Sequence, residues 1–218
     1  MGFSSSISNA IHIISSSLKI PAIIILLIFV VVVVFELGSL AVEIIFERRK
    51  EKTKVSKILN EIQNKKINQI QEIIRGSNLL KRQRLALDEL LQNNQLSPSS
   101  GQTLARRILS TEDLQYQKTI YRTDVIVRLG PMFGLMATLI PLGPGLLALG
   151  QGDTKTLADS LLTAFDATVA GLATAGVAFI ISKLRKRWYE DDMISTEAIM
   201  EGILEEMYGN ESRIKEQQ

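Results

Sequence analysis

Apolar positions along the chain fall into blocks. Ile20 to Phe35 reads IPAIIILLIFVVVVVF without a charge, and the apolar character continues to Phe46, broken only by Glu36 and Glu43. Two further apolar runs follow, Val125–Leu149 and Thr156–Ser182, joined by the polar link Gly150–Lys155. Each run has the ~20 residues needed to cross ~30 Å of hydrocarbon, so three membrane-spanning helices are predicted. A buried soluble helix does not suit the first run, because five consecutive valines after IIILLIF leave no wet face.

Between and beyond these runs the pattern turns amphipathic. Phe3–Leu18 alternates serines with Ile7, Ile11, Ile13 and Ile14, which predicts a short helix lying on the outer face. Lys52–Leu80 carries Val55, Ile58, Leu59, Ile62, Ile67, Ile70, Ile73 and Ile74 at helical spacing, and Lys81–Leu91 predicts a second helix. Gln95–Gly101 reads as a turn and Gln102–Leu109 as a short helix. Ser110 or Thr111 before Glu112–Asp113 reads as an N-cap that starts a helix running into the second span. The third span continues outward to Tyr208 with Met193, Ile194, Ile199, Ile203, Leu204 and Met207 at helical spacing. No strand pattern appears. The expected class is an all-α integral membrane protein with three transmembrane helices, long helices extending into a cytoplasmic helical bundle. Its expected segments are 1–19 (outer amphipathic segment), 20–46 (first span), 47–122 (cytoplasmic helical segment), 123–149 (second span), 150–155 (outer link), 156–182 (third span) and 183–218 (cytoplasmic helical tail).

Charge placement sets the topology. Of 25 Lys and Arg, 17 lie between Arg48 and Arg128, and only Lys19 and Lys155 lie outside that stretch and the tail. The positive-inside rule then puts the N-terminus outside, Glu47–Arg122 in the cytoplasm, the Gly150–Lys155 link outside and the C-terminus inside. The first apolar run starts late, follows a single positive charge and lacks a small-x-small cleavage site followed by soluble sequence, so it is expected to be a retained helix rather than a leader. The net charge of +2 does not point to nucleic acid, the chain has no cysteine, and the single histidine, His12, has no ligand neighbours. No cofactor or metal is expected. There is no phosphate-cradling Gly-x-x-x-x-Gly-Lys and no nucleophile with a base, so no enzyme is expected, and any work done would draw on an ion gradient. A unit charge crossing the membrane delivers about 2.3 kcal/mol per 100 mV.

Polar residues inside the spans are the candidate chemistry. Thr138 and Thr168 each lie fifteen residues from Asp153, the middle of the link. In a helical hairpin, with a rise of about 1.5 Å per residue, equal spacing puts both hydroxyls at one depth, near mid-bilayer. On the third span Asp159, Thr163, Asp166, Ala170 and Thr174 share one stripe, and Ala164, Thr168, Gly171 and Ala175 share another. Asp166 and Thr168 point about 200° apart, so one faces a pore and the other a neighbouring helix. An intramembrane acid costs at least about 2.5–3.5 kcal/mol and must be partnered, protonated or hydrated. Asp166 therefore reads either as a titratable relay group or as a protonated acid whose hydrogen bond fixes packing. In the second span Gly130, Gly134, Gly143, Gly145 and Ala137 permit close helix contact, while Pro131, Pro141 and Pro144 free backbone carbonyls. Arg128 reads as a snorkelling side chain. Glu36, Glu43 and Glu47 share one face of the first helix. Glu43 and Glu47 are expected at the cytoplasmic surface beside Arg48 and Arg49, and Glu36, deeper, is either a relay or a structural carboxylate.

These residues resemble the MotA/TolQ/ExbB proton channel family, closest in layout to ExbB and TolQ. Gly130-Pro131-Met132-Phe133-Gly134-Leu135-Met136-Ala137-Thr138 is similar to that family's Ala-Pro-x-x-Gly-Leu-x-Gly-Thr. Ala164-Phe165-Asp166-Ala167-Thr168-Val169-Ala170-Gly171-Leu172 is similar to its Ala-x-x-x-Thr-x-x-Gly-Leu. Ile20-Pro21 and Glu43 before Arg48-Arg49 are also similar. The resemblance implies a homopentamer whose second and third spans line a pore around a dimer of an ExbD/TolR/MotB-like single-span partner carrying the ion-binding aspartate. It implies an ion pathway through Thr138 and Thr168, with Thr163, Asp166, Pro131, Gly134 and Gly171 around it. Two positions depart from the pattern: Thr163 stands where ExbB-like members often carry a carboxylate, and Ala137 replaces a usual glycine. The expected function is the pore-forming subunit of a proton-driven or Na⁺-driven rotary motor in a prokaryotic cytoplasmic membrane. Two rival readings are a permease-like three-span subunit of a nucleotide-driven transporter and a passive membrane scaffold.

Overall fold

The computed structural model describes residues 2–48 and 55–215. Among them all regular structure is helical and there is no strand. Helix α1 (Gly2–Ser17) precedes α2 (Lys19–Val42), which passes into a π-helix over Glu43–Arg48. Three short helices follow, α3 (Val55–Ile62), α4 (Ile67–Gly76) and α5 (Lys81–Gln92). Two long ones complete the chain, α6 (Pro98–Gly150, 53 residues) and α7 (Thr154–Lys215, 62 residues). Three helical stretches, Ile13–Ile45, Pro98–Gly150 and Thr154–Gly209, are long and apolar enough to cross a membrane. The chain divides into two compact units, one of Met1–Leu40 with Tyr121–Lys183, the other of Ala41–Ile120 with Leu184–Gln218.

The first unit holds the apolar runs. Large apolar side chains stay open to the outside, among them Phe35 at 75%, Leu139 at 66% and Val169 at 65% exposed. In water such a surface would aggregate; hydrocarbon or further protein must cover it. Ala22, Leu26 and Val33 mark the buried side of α2, and Phe29 meets Phe133 of α6 edge to face with ring centres 5.8 Å apart.

The second unit is an amphipathic bundle. Ile58, Ile62, Ile70, Ile74, Leu87, Leu90 and Leu91 of the short helices close on Ala105 and Ile108 of α6 and on Ile199, Met200, Ile203 and Met207 of α7. Several polar groups inside it are paired. Buried Gln83 donates to the Asp192 carbonyl at 3.0 Å, and Tyr116 stacks on Tyr189 at 4.3 Å. Asp88 accepts from Gln71 at 2.7 Å and pairs with Arg75 at 3.3 Å, which together hold its carboxyl below the usual carboxylate range.

Three local expectations are corrected. Lys52–Leu80 is not one helix: α3 ends at Ile62, and Asn64 takes a left-handed backbone (φ 57°) before α4 starts. Asparagine tolerates that conformation, and the five-residue gap from Ile62 to Ile67 breaks the three- and four-residue spacing. Ser110 and Thr111 cap nothing. They lie inside α6, and the Thr111 hydroxyl donates back to the Arg107 carbonyl at 2.9 Å. The helix starts instead at Pro98, with Ser97 Oγ accepting from the Ser100 N–H at 3.4 Å. Glu43 finds a cation on another helix rather than only beside it in sequence: its side chain is 12% exposed and pairs at 3.3 Å with Arg185, itself 2% exposed. The side chains of Glu47 and Arg48, and Arg49 as a whole, lie outside the described residues.

Candidate functional site

The site is set by the hairpin of α6 and α7. Three residues, Gln151, Gly152 and Asp153, connect them, fewer than the six-residue link expected. Gly152 at φ +81° turns the chain, and its N–H and that of Asp153 bond back to the carbonyls of Leu149 and Ala148 at 3.0 and 2.9 Å. Asp153 then caps α7, accepting from the Thr156 N–H at 3.0 Å and from its hydroxyl at 2.5 Å. Those bonds hold the Asp153 carboxyl below its ordinary range.

Beyond the turn, small residues bring the two backbones together. A Cβ on Gly171 would lie 2.9 Å from the Gly130 carbonyl oxygen and 2.9 Å from the Gly134 Cα. A Cβ on Gly130 would meet the Ala175 Cβ at 3.2 Å. Ala137 and Ala164 are buried in the same seam, each 1% exposed. Pro131, one position after Gly130, is half-buried.

At this seam the hydroxyls of Thr138 and Thr168 are hydrogen bonded to each other. Thr138 Oγ1 also donates to the Gly134 carbonyl at 2.8 Å and lies 3.5 Å from that of Ala164. When Thr138 gives its proton to Gly134, Thr168 is the donor between the hydroxyls. Both side chains are half-buried, so the pair keeps an open side. The two stripes on α7 have different surroundings. Ala164, Thr168, Gly171 and Ala175 face the seam. Asp159, Thr163 and Asp166 are exposed, and the Thr163 hydroxyl donates to the Asp159 carbonyl at 3.0 Å. Arg128 is exposed and Glu36 half-buried.

Two polar pairs escaped sequence reasoning. Ser182, buried on α7, donates to Asp124 of α6. The spacing that relates the two threonines would have found this pair, since Asp124 and Ser182 each lie 29 residues from Asp153. The Arg185–Glu43 pair had no such signal, because its partners are 142 positions apart on separate helices.

Three helices long and apolar enough to cross a membrane, two of them forming a glycine-tight hairpin with a hydroxyl pair, define an α-helical membrane protein. The model of the MotA/TolQ/ExbB proton channel family matches residues 48–198, more than half of the chain, and the chain belongs to that family. No curated protein matches it. The family is a channel family rather than an enzymatic one, and its members work with partner subunits.

Proposed function

We propose that this chain is the pore-forming subunit of an ion-driven rotary motor, in which five copies surround a dimer of a single-span partner that carries an ion-binding aspartate. Ion flow down the gradient turns the ring about the partner. In this reading the complex sits in a prokaryotic cytoplasmic membrane, the N-terminus outside and the C-terminus in the cytoplasm, as the lysine and arginine distribution suggests. The observation that carries the reading is the hydroxyl pair Thr138–Thr168, half-buried in a seam of small residues inside apolar helices. A hydroxyl donates and accepts at once, so the pair can solvate a passing ion or bond to the partner's aspartate when it is protonated. Thr163 and Asp166 lie on the exposed face of the same helix and offer the pathway a second hydroxyl and a titratable group. Pro131, Gly134 and Gly171 shape the seam, and Glu36 serves as a relay or structural carboxylate of the first span.

The test is ion uptake by vesicles holding the chain together with its partner. Thr168→Val keeps shape and removes the hydroxyl, and it is expected to abolish uptake while the complex still assembles. Asp166→Asn is expected to be milder. Normal uptake by Thr168→Val would overturn the pore assignment, and the reverse order of severity would make Asp166 the principal relay.

A further inference from the structure

At the Pro141–Pro144 end of α6, a cavity of about 290 Å³ opens between this helix and the junction of α1 and α2. Its volume is many times the ~30 Å³ share of one water. Its walls differ in chemistry. Leu139 and Pro141 make one side apolar, whereas Ser15, Ser16 and Lys19 make the other polar. Among the described residues no acidic side chain lines it, so the Lys19 ammonium brings a positive charge to the cavity with no carboxylate beside it there. Pro144 has no N–H, so the Ile140 carbonyl, also in the wall, lacks its usual helical donor.

We propose that this cavity seats the headgroup of an anionic phospholipid, with the phosphate on Lys19, a headgroup hydroxyl on the Ile140 carbonyl, and an acyl chain along Leu139. Three features select that ligand together. The ammonium selects negative charge. The acceptor without a helical donor selects a headgroup with a hydroxyl, as in phosphatidylglycerol, over choline, which has none. The apolar wall, continuous with a helix built to lie in hydrocarbon, selects a lipid over a soluble phosphate. The proposal does not depend on the pore assignment. Such a lipid would tie the first span to the proline-rich end of the second.

Native mass spectrometry of the purified full-length protein, given equal amounts of phosphatidylglycerol and phosphatidylcholine, tests it. Phosphatidylglycerol is expected to be the preferred adduct. Lys19→Gln should weaken that adduct about fivefold, the factor for one basic residue near an anionic lipid surface, and Lys19→Arg should retain it. sn-Glycerol 3-phosphate in excess should not displace the lipid. Equal binding of the two lipids, or an unchanged adduct in Lys19→Gln, would overturn the site. Displacement by glycerol phosphate would overturn the lipid assignment. Lys19 is exposed, so a folded variant is expected, and an unchanged helical circular dichroism spectrum checks that.

Discussion

Gly171→Ala tests whether the seam holds the threonine pair in place. The added Cβ would sit 2.9 Å from both the Gly130 carbonyl oxygen and the Gly134 Cα, and 3.3 Å from the Gly134 nitrogen. All three are backbone atoms, so no side chain can swing away and the helices must part by several tenths of an ångström. Overpacking of this kind costs about 1–3 kcal/mol. For a chain of this size each kcal/mol corresponds to a Tm shift of about 2–4 °C, so detergent-solubilised Gly171→Ala should melt several degrees low. Thr168 lies one turn away on the same stripe, so the parting also stretches its bond to Thr138. Ion uptake should therefore fall, although no hydroxyl has been removed. Gly176→Ala is the control. It lies on the same helix, a Cβ there meets nothing within 4 Å, and alanine is favoured over glycine in a helix by about 0.5–1 kcal/mol. Differential scanning fluorimetry of the two variants, run beside uptake in vesicles, decides the matter. Equal melting temperatures and equal uptake would refute the reasoning.

Three further outcomes are expected. Arg185→Gln takes the buried guanidinium away from the half-buried Glu43 carboxylate and should cost about 1–3 kcal/mol in chemical unfolding, while Arg185→Met with Glu43→Leu should recover most of the loss. Asp88 has a folded pKa below its unfolded value of 3.8, so its contribution is present above that pH and lost as pH falls through the folded pKa. Acid titration of Asp88→Asn should accordingly show a shallower loss of stability below pH ~4 than the parent does. Ser97→Ala removes the acceptor at the start of α6 and should cost about 0.5–1 kcal/mol, whereas Thr111→Ala, where the hydroxyl only bonds back within the helix, should be neutral or slightly stabilising by the same unfolding assay.

What was legible in the chain follows from which forces are periodic in sequence. The three apolar runs and the isoleucine and leucine stripes of the bundle were plain, because burial repeats with the helix turn and every turn carries its signal. Equal distances from Asp153 foretold that the hydroxyls of Thr138 and Thr168 lie at one level, since a hairpin converts sequence offset directly into depth. Helix ends were harder. Ser110–Asp113 has the composition of a cap, but a hydroxyl can satisfy the preceding carbonyl as readily as the following N–H, and only the continuing bundle contacts decide between them. The pairing of Glu43 was illegible because its charge is matched by Arg185 from a distant helix, and no spacing in the sequence links the two.

The tightness of the seam also restricts where an ion could pass. At Gly171 there is no room for even a methyl group, since a Cβ would lie 2.9 Å from backbone atoms of Gly130 and Gly134, so water cannot file between the two helices of a single chain at this level. Any pathway touching Thr138 and Thr168 must approach from the open side of that half-buried pair, outside the hairpin. Asp166 leads to the same conclusion from the other face. It is exposed on an apolar helix, and a charged acid at that depth against lipid costs at least about 2.5–3.5 kcal/mol. Asp159 and Thr163 continue that polar stripe, so the face is better matched to water or to protein than to acyl chains. One chain offers neither a closed lumen nor cover for this stripe. A ring of copies, as proposed above, would supply both, since each hairpin's open threonine side and its acidic stripe would then border the axis or a neighbouring subunit. If so, Asp166→Leu should disturb assembly less than Asp166→Arg, because leucine is tolerated by lipid and protein alike while arginine needs its own partner. Subunit stoichiometry by native mass spectrometry would show it, and unchanged assembly in Asp166→Arg would place that side chain in open water.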